Sequence, residues 1–280
     1  MTGREAVRLA TSRLGAAGIE DPLSDARRLL CLALETSHFV LIDLDQPLSG
    51  NQLVTFEDAL DRREDRTPMS HIIGCREFFG RSFFVSESVL DPRPDTETVI
   101  DVALRADFNR VLDLGIGSGC ILATLLAERQ DASGVGCDLS ADALRVAQRN
   151  LDSLKVADRA KLIESDWFSA VSGKFDLIVS NPPYVSLEEM NSLQPEVRFH
   201  EPRMALTDEG DGLSFYRSLL SDYDQFLTAG GRVIFEIGAS QGRAVVDLME
   251  ESGLIDVEIF QDINGRDRVV VGHKPHKSVL

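Results

Sequence analysis

Asn181-Pro182-Pro183-Tyr184 directly follows the apolar run Phe175-Asp176-Leu177-Ile178-Val179-Ser180, which reads as a strand. Amide and exocyclic amino nitrogens are poor nucleophiles because their lone pairs are delocalised. Two prolines fix φ and remove backbone donors. The Asn181 side-chain oxygen and the Pro182 carbonyl can therefore both accept N–H bonds from a single NH2 group. Such acceptance favours a pyramidal nitrogen with its lone pair exposed. The same residues also suit a rigid turn after a strand. The chemical reading is preferred because a glycine-rich strand-to-helix turn lies upstream.

In that turn, Arg110 to Leu114 reads as a buried strand, Gly115-Ile116-Gly117-Ser118-Gly119 as a tight loop and Cys120 to Arg129 as an apolar helix. A dinucleotide fingerprint needs glycine at its sixth position, where this chain has Cys120. Asp113 places a carboxylate beside the loop, where a pyrophosphate at the helix N-terminus would be repelled. A cationic ligand without phosphate is expected, and S-adenosylmethionine, with its sulfonium and ammonium groups, is such a ligand. Ser133 to Asp138 reads as a second strand, and Asp138 falls about twenty residues past the loop, the spacing of an acid that accepts from ribose hydroxyls. Ser140 caps the helix that follows. A third strand, Ala160 to Glu164, leads to Asp166-Trp167, a polar group and an aromatic ring suited to adenine. Taken singly, Asp138 also suits the start of a helix and Trp167 a core.

Composition narrows the classes. Hydrophobic residues at 43% and charged residues at 27% are ordinary for a soluble globular protein. No apolar run approaches the roughly 18 to 20 residues of a membrane span, and Met1-Thr2-Gly3-Arg4-Glu5 opens no signal-peptide segment, so a cytoplasmic location is expected. Cys31, Cys75, Cys120 and Cys137 lack C-x-x-C spacing and read as reduced core residues. The net charge of −17, concentrated after residue 90, disfavours binding to a phosphate backbone. His38, His71, His200, His273 and His276 show no metal-ligand spacing, so no metal is expected.

Three helices are predicted before residue 75: one through Val7, Ala10 and Leu14, one through Ala26, Leu29, Leu30, Ala33 and Leu34, and one through Leu53, Phe56 and Leu60. A small bundle of about four helices follows, serving either partner recognition or stability. Two aromatic pairs around Gly80 predict a β-hairpin. Arg93, Asp95 and Glu97 either line a site or are solvated charges. Residues 186–211 are expected to form a functional loop. After it come a helix over 213–227, a turn at Gly230-Gly231, a strand over 232–237, a helix over 241–252 and strands near 257–260 and 268–271.

Taken together, P-R-P-D-T-E (92–97), D-L-G-x-G-S-G (113–119), N-P-P-Y (181–184), E-P-R-x-A-L (201–206), E-I-G-x-x-Q-G (236–242) and G-R-D-R-V-V (265–270) closely resemble the release factor glutamine methyltransferase family from Pro68 onward. The resemblance implies methylation of the glutamine side-chain nitrogen in the Gly-Gly-Gln tripeptide of class 1 peptide chain release factors. It also implies that Gly115, Ile116, Gly117, Ser118, Gly119, Asp138, Trp167 and Asn181 contact S-adenosylmethionine. Asn181, Pro182, Pro183 and Tyr184 would hold the glutamine amide, with Asn181, Pro182 and Tyr184 catalytic. The expected fold is α/β: a seven-stranded, mostly parallel, Rossmann-like methyltransferase sheet behind a small all-α domain. Residues 1–75 would recognise substrate, 76–90 would form a hairpin linker and 91–280 the methyltransferase domain. A monomer acting on release factors is expected, with no direct nucleic-acid or membrane partner and no obligatory acid–base residue. The alternatives are an amino-group methyltransferase for a nucleic-acid base or a ribosomal-protein glutamine, and a non-catalytic binding protein. The chain departs from the family pattern at Asp91, where an apolar residue is usual, and at Ser70-His71, where Gln-Tyr is commoner.

Overall fold

Side-chain caps set the starts of the N-terminal helices. The Thr2 hydroxyl accepts from the Glu5 N–H at 3.3 Å and the Glu5 carboxylate accepts from the Thr2 N–H at 2.8 Å, which opens α1 (Gly3–Ala16) with two backbone donors satisfied. Asp21 followed by Pro22 opens α2 (Pro22–Ala33), and a second reciprocal pair, Ser49 with Gln52, opens α3 (Gly50–Glu64). A short α4 (Met69–Ile73) stops at Gly74 in the left-handed region. Ala10, Leu14, Leu29, Leu30, Phe56 and Leu60 are fully buried in one apolar core, so these helices form a unit of their own. The computed structural model describes residues 1–276.

The second unit begins at Arg76, within a hairpin of β1 (Cys75–Phe78) and β2 (Arg81–Phe84) whose two turn residues Phe79 and Gly80 both have positive φ. A turn at Pro94–Thr96 leads into α5 (Glu97–Ala103). Then come β3 (Arg110–Leu114), α6 (Cys120–Glu128), β4 (Ser133–Asp138), α7 (Ala141–Ser153), β5 (Ala160–Glu164) and β6 (Phe175–Ser180). After a long connection follow α9 (Ser214–Phe226), β7 (Leu227–Glu236), α10 (Gly242–Glu251), β8 (Ile255–Gln261) and β9 (Asp267–His273). The seven-stranded sheet has the order β5-β4-β3-β6-β7-β9-β8. Only the pairs β7–β9 and β8–β9 are antiparallel. Apolar cores cover both faces, as a buried parallel sheet requires.

This order creates one switch point. From β3 the chain winds outward to β4 and β5, then returns to the other side of β3 as β6. Ligand crevices form at the carboxyl ends of strands where that reversal occurs. Leu114 pairs with Ser180, and the Ser180 hydroxyl donates to the Leu114 carbonyl at 2.7 Å, so the glycine loop and N-P-P-Y leave the sheet side by side.

Several expectations are corrected. The 186–211 stretch holds helical turns at Glu189–Ser192 and Arg203–Ala205 and the helix α8 (Pro195–His200). Residues 194–200 group with the helical unit: Glu196 accepts from Arg63 at 3.0 Å and Arg66 at 2.8 Å, and the His200 ring lies 2.9 Å from the Asp65 carbonyl. Gly230-Gly231 lies inside β7, where a register shift against β6 accommodates the left-handed Gly230. Cys120 and Cys137 are buried, but Cys75 is exposed at the start of a hairpin. No described helix is long and apolar enough to cross a membrane.

Candidate active site

A cleft of about 560 Å³ opens at the switch point, a volume suited to a nucleoside-sized ligand. Gly115, Ile116, Gly117 and Ser118 form one wall, and the Gly115 and Ile116 N–H groups both donate to the Cys137 carbonyl at 2.9 Å. Gly119 is not on the wall. It has φ of 79°, and a Cβ there would meet the Ala147 Cβ at 3.1 Å, so glycine is needed for α6 to approach α7. Asp138 lines the cleft, and its two oxygens accept from the Gly117 and Ser140 N–H groups at 2.9 Å each, leaving lone pairs for a ligand's hydroxyls. Trp167, also on the wall, packs against Phe215 at 5.0 Å between ring centroids. Its φ of 47° is an outlier for a bulky residue. The Ser165 hydroxyl holds its carbonyl at 2.8 Å.

Asp113 does not face the ligand. Strand alternation places it on the α6 side of the sheet, with Val111, where it is 1% exposed and accepts from the Leu122 N–H at 3.1 Å. Burial pushes its carboxyl up to about 7; the Leu122 N–H opposes the shift and the Asp138 charge adds to it. The charge argument against pyrophosphate therefore rests on Asp138, which does reach the cleft.

Asn181 and Pro183 line the cleft, Pro182 is buried, and Tyr184 turns inward so that its hydroxyl donates to the Glu236 carboxylate at 3.1 Å. Asn181 Nδ2 donates to the Thr96 hydroxyl at 3.4 Å. Among the described residues, no protein group donates to Asn181 Oδ1 or the Pro182 carbonyl. Burial and the Glu236 charge hold the Tyr184 phenol far above its usual range, so it stays protonated.

Motifs that were only signatures in the sequence now have physical work. Gln241 Nε2 donates to the Tyr184 carbonyl at 2.9 Å and to the Gly212 carbonyl at 3.1 Å. A Cβ on Gly212 would lie 2.3 Å from the Tyr184 oxygen, so a glycine at this position gives the turn its room. Arg268 donates to the Ile237 carbonyl at 3.1 Å and pairs with Asp95 at 3.2 Å. Arg93 clasps both Glu201 oxygens at 2.7 Å, and Glu97 accepts from the Phe79 N–H at 2.8 Å. Arg93, Asp95 and Glu97 are thus neither cleft walls nor free surface charges. Asp91 is buried on the cleft wall, so that departure from the family pattern touches the ligand site.

Sequence reasoning missed Asn150, Thr96 and Glu236. Asn150 bonds both the Phe84 backbone and the Ser118 carbonyl, tying β2 to the glycine loop. A polar residue on an otherwise apolar helix face was its only signal.

The cleft offers a carboxylate for hydroxyls, an aromatic face, and the apolar Leu139 and Ile121, with no cluster of cations on its wall. That set fits S-adenosylmethionine.

Comparison with known proteins agrees. The family described as "Methyltransferase small domain" matches residues 88–230, and "PrmC N-terminal domain" matches residues 5–74. A "Release factor glutamine methyltransferase" of Cereibacter sphaeroides is 48% identical over 277 residues, covering 98% of this chain and 99% of its own. One of Caulobacter vibrioides is 43% identical, covering 95% and 94%. A methyltransferase structure from Pyrococcus furiosus, 17% identical, superposes with a TM-score of 0.54 over 71% of this chain and 91% of its own, a likeness of fold.

Proposed function

This chain belongs to the release factor glutamine methyltransferase family, and from that premise we propose that it methylates the side-chain amide nitrogen of the Gly-Gly-Gln glutamine in class 1 peptide chain release factors. The observation that carries the reading is Asn181: it stands on the cleft wall beside the glycine loop, its NH2 occupied by Thr96 and its Oδ1 without a donor among the described residues.

When bound, S-adenosylmethionine supplies a methyl group on a sulfonium whose sulfur keeps the electron pair of the broken bond. Asp138 accepts from the ribose hydroxyls while its other lone pairs keep the loop shaped, and Trp167 and Phe215 cover the adenine side. Ile116 and the glycine loop backbone form the floor. Asn181 Oδ1 and the Pro182 carbonyl each accept one N–H of the glutamine amide. This fixes the nitrogen and draws its lone pair out of conjugation, so that positioning supplies much of the acceleration. Pro183 limits the turn to one conformation, and Tyr184 anchors it from behind. The amide proton displaced by the methyl group passes to solvent.

The helical unit, residues 1–75 with 194–200, serves to recognise the release factor. Mass spectrometry of a recombinant class 1 release factor, incubated with this protein and S-adenosylmethionine, tests the proposal. One methyl group on the Gly-Gly-Gln glutamine is expected; methylation of a ribosomal protein or of RNA with an unmodified release factor would refute it.

A further inference from the structure

Behind Asn181 lies a buried polar chain that the methyl-transfer chemistry does not itself require. Thr96, 2% exposed, receives the Asn181 NH2 on its hydroxyl oxygen at 3.4 Å. Glu236, 1% exposed on β7, takes the Tyr184 hydroxyl on Oε1 at 3.1 Å. Its Oε2 makes no hydrogen bond of ordinary geometry, although the Thr96 hydroxyl acts on the carboxyl in favour of its charged form. The surroundings are otherwise fixed. Arg268 of β9 faces the pair, held by Asp95 and Asp262. The Tyr216 hydroxyl of α9 donates to the Glu236 backbone carbonyl, and Cys120 at the start of α6 stays a thiol because burial pushes it up to about 12.

A hydroxyl has one proton, so Thr96 can point it in only one direction. Directed at a Glu236 carboxylate, it leaves the Thr96 lone pair to the Asn181 NH2, and Asn181 Oδ1 then faces the cleft. A proton on Glu236 reverses the order: the carboxylic acid donates to Thr96, Thr96 donates to Asn181, and the amide turns its NH2 toward an incoming NH2. Two donors then meet, and the substrate amide loses one of its two acceptors, keeping only the Pro182 carbonyl.

We propose that Glu236 is a positioning residue for methyl transfer: as the carboxylate it sets, through Thr96, which end of the Asn181 amide the cleft presents, and through Tyr184 it fixes the turn that carries Asn181. The inference rests on the glutamine-methylation reading above. Because burial pushes the Glu236 carboxyl up to about 7, against the opposing Thr96 hydroxyl, Arg268 and Tyr184, the oriented state holds above that pH and is lost as pH falls through it.

The test is single-turnover methylation of a class 1 release factor across pH 5.5 to 8.5, at saturating S-adenosylmethionine, with thermal unfolding and cofactor affinity measured in parallel. Glu236→Gln keeps the shape but places an NH2 against Thr96, mimicking the protonated state. The expected result is a rate about ten- to a hundredfold lower at pH 8, with the acid limb of the profile gone and cofactor affinity close to wild type. Thr96→Val should give a similar loss that is not additive with Glu236→Gln, and Thr96→Ser should restore most of the rate. Wild-type rates and an unaltered profile in both variants would overturn the role of Glu236 alone. So would equal losses in Thr96→Ser and Thr96→Val that follow melting temperature and not pH. A wild-type enzyme that leaves the release factor unmethylated would overturn the substrate reading and this inference with it.

Discussion

The amide of Asn181 can be useful only if one end is tied down, and the structure ties the donor end to Thr96. Asn181→Ala removes the acceptor and should lower kcat about 10²-fold or more while leaving cofactor affinity largely intact. Asn181→Asp keeps an acceptor and should retain more activity than the alanine variant; rapid-quench kinetics distinguishes the two, and a wild-type rate for alanine would mean the turn is only structural. Asp138 carries two duties, shaping the loop through the Gly117 and Ser140 N–H groups and meeting the ribose. Asp138→Ala should therefore weaken S-adenosylmethionine by about 1–3 kcal/mol, measured by calorimetric titration, with some loss of melting temperature. Unchanged affinity in the folded variant would leave Asp138 a purely structural cap.

At the scale of elements, α8 belongs to the helical unit although it lies more than a hundred residues later in the chain. The chain between N-P-P-Y and the cleft-lining residues 202–209 is held at residues 194–200 by Arg63 and Arg66, and Arg63 is itself buried against Asp25. Deleting residues 1–75 removes every one of these partners. The truncated protein should therefore lose cofactor affinity several-fold in addition to losing methylation of intact release factor. Calorimetry on the soluble truncation checks this, and full affinity would show that residues 201–209 keep their cleft wall unaided. In the intact chain, Glu196→Ala leaves the buried Arg63 short of one acceptor and should cost about 1–3 kcal/mol in denaturant unfolding of the helical unit.

For the molecule as a whole, stability and activity respond to pH in opposite senses. Asp113 and Glu236 both have carboxyls raised to about 7 from the ordinary carboxylate range, chiefly by burial. Their contribution to stability is complete below about pH 4, where both states are protonated, and is lost as pH rises to and through 7. The Asp113→Asn variant removes one such term. It should gain stability relative to wild type by about 1–3 kcal/mol between pH 5 and pH 8, read from paired melting curves. A constant difference across that range would show that Asp113 does not titrate there. The Glu236 carboxylate needed to orient Asn181 is the form the fold disfavours, so the site is bought at the expense of stability.

The linear pattern determined most of the elements. Five strands from β3 to β6 and β9, and the starts of α1, α3 and α7, follow from side-chain period, caps, and glycine or proline positions, all of them interactions within a few residues. The glycine loop and N-P-P-Y were legible for the same reason: each is a short backbone device that only particular residues permit. What lay between distant residues was not legible. Nothing local tells Asp113 from a ligand-facing acid until its strand has a helix above one face. Nothing local joins Thr96, Glu236 and Arg268 to Asn181, because those partners meet only when β6, β7 and β9 align, and nothing local joins residues 194–200 to Arg63 and Arg66, which lie far earlier in the chain. A buried polar atom needs a partner wherever the chain can supply one, and tertiary structure alone decides which one it finds.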